Sequence, residues 1–229
     1  AGCGNGAPLI EILKKGYLAT GYDKSDNMLI EAKSKLTENN FNTDLVCKGD
    51  FEDPKHLEKE SVDCITGMGA FYYSRNLNST LVNQVGKLKQ GGSIIFSLRN
   101  SLFDLATSNQ YTTRFLYDLF DMHNKDKDII SEFNKITRFQ NKEQNKKFKS
   151  IDDSNVYSGV HNPLDIENLL ENAGLTKKSV YFYHYHALPP IFEHKMPVYF
   201  RKMSWELENP KDWRGHFLAS NFVVHAEKS

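Results

Sequence analysis

The sequence predicts an α/β protein with a mostly parallel sheet and helices on both of its faces. Two observations carry that reading. Apolar strand-like runs alternate with helix-period segments over residues 7–100, and the same alternation resumes after residue 158. A glycine-rich stretch, Ala1-Gly2-Cys3-Gly4-Asn5-Gly6, empties directly into the first helical pattern.

In chain order, the alternate glycines let the backbone turn tightly and approach a ligand with no side chain in between. Pro8 suits a first helical turn, where its missing N–H costs nothing. Leu9, Ile10, Ile12 and Leu13 give the helix an apolar face, and Gly16 stops it. A glycine loop running into a helix N-terminus suits an anionic or carboxylate-bearing ligand. Gly2, Gly4 and Gly6 fit G-x-G-x-G; Gly2, Gly4 and Ala7 also fit the dinucleotide fingerprint G-x-G-x-x-G/A. A glycine turn that binds nothing is the bland alternative. Such a loop normally follows a buried strand, so the natural protein is expected to carry an apolar strand upstream of Ala1.

Residues 17–22 read as a strand ending at Asp23. Ser25 caps a helix with Met28, Leu29, Ala32 and Leu36 at helical spacing, closed by Asn39 and Asn40. Residues 43–48 form a second strand that runs into Gly49-Asp50-Phe51-Glu52-Asp53. Residues 61–66 form a third, opening into the loop 67–73. Leu81, Val82, Val85 and Leu88 mark a helix stopped by Gly91-Gly92, and residues 93–98 a strand ending at Arg99-Asn100. In such sheets ligands bind over the carboxyl ends of the strands, so the residues just after each strand matter most.

Residues 101–158 break the alternation. Leu102, Phe103 and Leu105, then Tyr111, Phe115, Leu116, Leu119 and Phe120, look helical, and a charged stretch follows. The segment reads as a helical insertion covering the sheet's carboxyl edge within a single domain, 1–229. Lysines 142, 146, 147 and 149 could meet an acidic substrate, although a solvated helix face is the more ordinary role. A helix from residue 162, closed by Ala173-Gly174, a strand at 179–186, an excursion holding both tryptophans, and a strand at 216–226 complete the chain.

Basic and acidic residues balance at 29 each, so no global charge recruits nucleic acid or an anionic membrane. Cys3, Cys47 and Cys64 lack metal-ligand spacing and read as reduced residues of a cytoplasmic protein, with no metal expected. No apolar run reaches membrane-spanning length.

The order of signals resembles the class I S-adenosylmethionine-dependent methyltransferases over nearly the whole chain apart from 101–158. Gly2, Gly4 and Gly6 match that family's glycine loop, and Asp23 its ribose-binding acid. Gly49-Asp50-Phe51 resembles the segment that holds the adenine. Leu169-Leu170 with Ala173-Gly174 resembles the late helix, and Asn221-Phe222-Val223-Val224 the closing antiparallel strand. The resemblance implies a Rossmann-like sheet of seven strands, its first strand lying upstream of the sequence, and S-adenosylmethionine as cofactor. It implies cofactor contacts from Gly2, Cys3, Gly4, Asn5, Gly6, Asp23, Lys24, Met28, Asp50, Phe51, Glu52, Met68 and Gly69. A dehydrogenase would have no particular need of Asp50-Phe51 or of the final pair of strands. The Asn/Asp-Pro-Pro-Tyr/Phe motif of many amino-group methyltransferases is absent; Gly67-Met68-Gly69-Ala70-Phe71-Tyr72 stands in its place. That favours transfer to a hydroxyl oxygen of a small molecule.

A hydroxyl acceptor benefits from a base. His186 and His161 are the candidates, with Arg99 able to clamp a carboxylate or phosphate. Tyr72, Tyr73, Asn100, Tyr111 and His184 are candidate substrate contacts, His184 and His186 being expected on one face of their strand. The alternatives are a cofactor-binding module without catalysis and, less favoured, an NAD-dependent oxidoreductase. Oligomeric state is not legible.

Overall fold

A computed structural model describes residues 1–141 and 157–229. Helix α1 (Ala7–Lys14) starts at Gly6 with Pro8 in its first turn and buries Leu9 and Ile10. Strand β1 (Gly21–Asp23) pairs in parallel with β2 (Val46–Lys48), and α2 (Asp26–Glu38) lies between them in sequence, capped by the Ser25 hydroxyl accepting from Met28 N–H. Leu29, Ala32, Leu36 and Val46 pack with Leu9 and Ile10 into one apolar cluster.

The remaining strands build a second sheet. These are β3 (Val62–Gly67), β4 (Leu88–Arg99), β5 (Leu175–Tyr185) and β6 (Ala219–Lys228), in the spatial order β3-β4-β6-β5. β3 and β4 are parallel; β6 runs antiparallel to both β4 and β5. Phe96, Leu98, Phe222 and Val224 alternate onto one face, where α3 (Leu77–Val85) and α6 (Ile166–Asn172) close the main core. The α/β class and the antiparallel last strand are as the sequence predicts. The single seven-stranded sheet is not what is seen: among the described residues the strands form a sheet of two and a sheet of four.

The two sheets face each other across a slot of about 870 Å³, lined by residues 17–22 on one side and 61–66 on the other. Residues 1–3 cross its upper end. The amino group of Ala1 donates to Thr66 O of β3 at 2.7 Å, and Cys3 N–H donates to Tyr22 O of β1 at 2.9 Å. The predicted strand at 17–22 is shortened for this reason. Tyr17 and Leu18 border the slot, 66% and 103% exposed, and a ladder forms only where β2 is alongside.

Other boundaries shift locally. The helix expected to run to Leu88 ends at Val85, with Gly86 as its cap, and β4 begins at Leu88, passing through Gly91-Gly92 at a register shift opposite β3. Residues 215–218 form a short helical turn, α9 (Gly215–Leu218), before β6. Of the predicted insertion, residues 101–106 form a 3-10 turn, followed by α4 (Gln110–Leu119) and α5 (Lys127–Asn141). Residues 142–156, with the lysines at 142, 146, 147 and 149, lie outside the described residues. The excursion before β6 carries α7 (Ile191–Lys195) and α8 (Pro197–Leu207).

Candidate functional site

The glycine loop lies at the carboxyl ends of β1 and β3, and its glycines divide the labour. Gly2, Gly4 and Gly6 all have left-handed backbones (φ 62°, 51° and 77°), which other residues adopt at a cost. A Cβ on Gly2 would stand 2.6 Å from the Cβ of Ala70, and one on Gly6 would stand 3.1 Å from that of Ala32. Those two glycines allow the loop to touch its neighbours. A Cβ on Gly4 would meet nothing within 4 Å, so Gly4 faces open space. Asn5 turns inward on the same loop, its Oδ1 accepting from Ala7 N–H at 3.4 Å. Cys3 packs behind the loop against Gly21, and burial, aided by Asp23, pushes its thiol up to about 11, so it stays protonated.

Asp23 ends β1 beside this loop. Its Oδ2 accepts from Gly4 N–H at 2.8 Å and its Oδ1 from Ser25 N–H at 2.9 Å. The carboxylate thus orders the loop and the start of α2 together, and still has lone pairs to offer. Lys24 next to it bonds Asp50 Oδ2 at 2.9 Å, while Asp50 Oδ1 receives Glu52 N–H at 2.9 Å. Burial works to raise the Asp50 carboxyl, but the bonds from Lys24 and Glu52 N–H hold it below its usual value. Phe51 stacks on Phe71 at 5.7 Å between ring centres, and its ring edge borders Gly2. Met28, partly exposed, lies on the first turn of α2.

Glu52 does not join this group. Its Oε1 accepts from the Ser74 hydroxyl at 3.0 Å and from Arg75 N–H at 2.9 Å, so it clasps the loop after β3 rather than facing Gly4. Sequence reasoning missed Gln84. Its fully buried amide donates to Phe51 O at 2.6 Å and exchanges bonds with the Tyr22 hydroxyl at 3.0 and 3.1 Å. The signal was a polar residue beside Leu81 and Val85 on the inward face of α3.

On the other side of the loop, Gly69 N–H donates to Ser97 Oγ of β4 at 2.7 Å, and Met68 lies at the mouth of the slot. Two residues beyond Ser97, the Arg99 guanidinium lies over the Tyr72 ring, 4.9 Å from its centre. Tyr73 packs against Tyr72 with ring centres 4.4 Å apart, and burial, with the Tyr73 hydroxyl bond, pushes the Tyr72 phenol up to about 12. Gly159 N–H donates to Tyr72 O at 2.7 Å. His161 N–H donates to Arg99 O at 2.8 Å, and Ser101 N–H donates back to His161 O at 2.9 Å. A Cβ on Gly159 would stand 3.2 Å from His161 Nε2 and 3.3 Å from the Tyr157 hydroxyl. Tyr72, Arg99, Gly159 and His161 are therefore one cluster, joined to the glycine loop through Ala70. Burial lowers the His161 pKa from its ordinary value, which leaves the ring neutral at pH 7.

Three expectations are corrected. Asn100 is buried, its amide donates to the carbonyls of Gly215, His216 and Ala219, and its Oδ1 receives Leu102 N–H. That leaves it a structural staple with no free group for a substrate. His186 packs between Phe103 and Phe200, at 4.7 and 5.3 Å between ring centres. His184 and His186 do not share a face: the left-handed backbone of His184 (φ 56°) turns its exposed ring beside Tyr183 and 3.4 Å from the Asn221 amide. Tyr111 lies under Arg114 of its own helix at 5.3 Å. No helix among the described residues is long and apolar enough to cross a membrane.

Residues 1–96, which hold the glycine loop, Asp23, Asp50 and Gly69, match the family profile described as a methyltransferase domain. No curated protein sequence matches the chain. Solved structures are similar over its whole length. An S-adenosylmethionine-dependent methyltransferase from Mesorhizobium loti is 14% identical, with a TM-score of 0.58, covering 99% of this chain and 88% of that one. Another from Listeria monocytogenes is 17% identical, with a TM-score of 0.57, covering 100% and 87%. Magnesium protoporphyrin IX methyltransferase from Synechocystis PCC 6803, solved with bound SAH, is 13% identical, with a TM-score of 0.54, covering 100% and 72%. The profile match lies within residues 1–96, and over the whole chain the fold is that of the S-adenosylmethionine-dependent methyltransferases.

Proposed function

We propose that the chain transfers a methyl group from S-adenosylmethionine to a hydroxyl oxygen of a small-molecule acceptor. The observation that carries this reading is the segment of Gly159 and His161, whose backbone is bonded to Tyr72 and Arg99 and so brings a histidine next to the loop that touches the glycine turn. When bound, S-adenosylmethionine supplies an electrophilic methyl carbon on a sulfonium centre. The open face at Gly4, flanked by Gly2, Cys3, Asn5 and Gly6, suits the methionine part, with Met68 and Gly69 nearby. Asp23, with lone pairs to spare, suits the ribose diol, and Lys24 and Met28 border it. Asp50 and the Phe51 ring suit the adenine.

His161 would accept the proton that the acceptor hydroxyl loses on methylation, the cofactor supplying the methyl group and its sulfur as leaving group when bound. Tyr72 and Tyr73 wall the acceptor and keep water from it. Residues 101–141 serve as a cover within a single domain. We further propose that a strand fills the slot between β1 and β3 and brings the sheet to seven. The balanced charge favours neither nucleic acid nor membrane as partner, and three unpaired cysteines suit a reducing cytoplasm.

Calorimetry with S-adenosylmethionine, its demethylated product and NAD tests the cofactor assignment; heat with NAD alone overturns it. Mass spectrometry of a panel of hydroxylated acceptors tests transfer. Cofactor binding with no methylated product from any acceptor leaves a binding module instead of the proposed enzyme.

A further inference from the structure

The acceptor side contains a cation, Arg99, that no carboxylate among the described residues neutralises. Arg114 pairs with Asp104 at 3.6 Å and Arg214 with Asp212 at 2.6 Å; among the described residues no carboxylate comes within 4 Å of Arg99. Arg99 is nevertheless not loose. Its backbone is held in β4 opposite Asn221 of β6, which in turn stands opposite Tyr183 of β5. Directly opposed residues share a face, so Arg99, Asn221 and Tyr183 form a row across three strands. The guanidinium carbon lies over the Tyr72 ring, 4.9 Å from its centre, a cation–π contact that holds the group without spending its N–H donors. The Arg99 carbonyl, meanwhile, accepts from the N–H of His161, the residue assigned as base.

We propose that Arg99, laid on Tyr72, is the anion-binding subsite of the acceptor pocket, so that the acceptor carries a carboxylate or phosphate besides its hydroxyl. A planar guanidinium meets either group through two parallel N–H bonds, which fixes orientation as well as charge. The Tyr183 phenol, in the same row, supplies a neutral donor beside it. A phenol is a fitting support for the guanidinium here, since it adds attraction without adding a competing charge. The anion then anchors the acceptor at a fixed offset from His161.

This rests on the proposed hydroxyl transfer, and the experiment separates the two. The full chain loaded with S-adenosylhomocysteine is titrated by calorimetry with 4-hydroxybenzoate, 4-hydroxyphenyl phosphate and 4-hydroxybenzamide. The hydroxyl and ring are constant, and only the third group changes. At least one anionic probe is expected to bind about tenfold or more tightly than the amide. A carboxylate preference and a phosphate preference name the two sources, and either supports the subsite. Arg99→Gln is expected to abolish the preference and Arg99→Lys to keep part of it. Tyr72→Leu, which removes the supporting ring, is expected to weaken it, and serves if Arg99→Gln does not fold. Equal binding of all three probes, binding of none, or a preference that survives both Arg99→Gln and Tyr72→Leu overturns the subsite. Arg99-dependent anion binding with no methylation of any hydroxyl acceptor leaves the subsite standing and removes the hydroxyl reading. Methylation of neutral hydroxyl acceptors that Arg99→Gln does not affect does the reverse.

Discussion

The Gln84 amide donates to the Phe51 carbonyl at 2.6 Å and meets the Tyr22 hydroxyl in the same buried space. One side chain on α3 thus ties together the turn after β2, which carries Asp50 and Phe51, and the strand that ends at Asp23. Asn83 on the same helix donates to Glu52 O at 2.7 Å, and Thr80 shares a bond with Ser74, which Glu52 also holds. The turn at Asp50–Phe51 and the loop before Tyr72 are therefore set by one helix.

Gln84→Met keeps the volume but leaves Phe51 O without its amide donor and the Tyr22 hydroxyl without its partner. A buried polar group left unpaired costs about 1–3 kcal/mol. Denaturant unfolding is expected to show a loss in that range. S-adenosylmethionine affinity should fall as well, and Gln84→Glu, whose buried carboxylate would face the Phe51 carbonyl, should lose at least as much stability at pH 7. An unchanged unfolding midpoint for Gln84→Met would mean that water replaces the amide.

Asp23 has two roles that a strand-end acid need not combine. Asp23→Ala removes the acceptor for Gly4 N–H and Ser25 N–H as well as the carboxylate offered to the ribose. Hydrogen bonds to a charged acceptor are worth about 1.5–3 kcal/mol each, so cofactor affinity should fall roughly tenfold to several hundredfold. The melting temperature should fall too, because the loop loses its internal tether. Asp23→Asn keeps one oxygen and should lie between. Calorimetry and thermal melts on the same samples separate the effects; loss of stability with unchanged affinity would make Asp23 a cap only.

The glycine loop and the strand end at Asp23 were legible because their residues act through backbone chemistry that leaves a mark in the sequence. Gly2, Gly4, Gly6 and Asp23 are short-range features of one loop and one strand end, and they come together as expected. Asn100 and Glu52 misled because position after a strand says where a residue sits, not where its side chain points. Both spend their polar groups on distant backbone, the Asn100 amide on carbonyls more than 100 residues away. His184 misled for another reason: strand alternation assumes extended backbone, and a left-handed residue breaks it. Gln84 and the Tyr72–Arg99 stack depend on tertiary approach between separate elements, which no local pattern encodes.

Stability should respond to pH through buried histidines. Burial lowers the pKa of His161, His186 and His216 from the ordinary value of about 6.5, with Glu193 opposing the shift at His186 and His184 adding to it. Each neutral ring contributes stability in full above the unfolded value. That contribution is lost as pH falls through the unfolded value towards the lower folded one, because the unfolded chain takes up protons first. Melting temperature is expected to decline between pH 7 and pH 5, before the carboxylates titrate. His186→Phe, which keeps an aromatic ring between Phe103 and Phe200, should flatten part of that decline. A melting temperature constant over this range, in the parent and the variant alike, would show that the rings gain water or partners on protonation.

The slot between β1 and β3 makes the last prediction. Both strands run parallel to their outer neighbours, β2 and β4, so a strand between them would run parallel to both. Its carboxyl end would meet residues 1–3, which already bridge the two sides: Ala1 bonds Thr66 O and Cys3 bonds Tyr22 O. Ile65, Ile95, Leu9 and Ile12 line the walls, so the occupant should be apolar on both faces. Unfilled, the slot leaves ladder groups of two strands to water, and the two sheets are joined by residues 1–3 and by the bonds of Gln84 to Tyr22 and Phe51. Joining a five-residue apolar, β-branched segment ahead of Ala1 should therefore raise the unfolding midpoint and sharpen the transition. The same segment with a central proline, which cannot donate to a ladder, should do much less. Amide hydrogen exchange gives the finer reading: protection should rise at residues 17–22 and 61–66 on joining the first segment. If the apolar segment leaves both the midpoint and those amides unchanged, the slot is not a strand site and the proposed seven-stranded sheet falls with it.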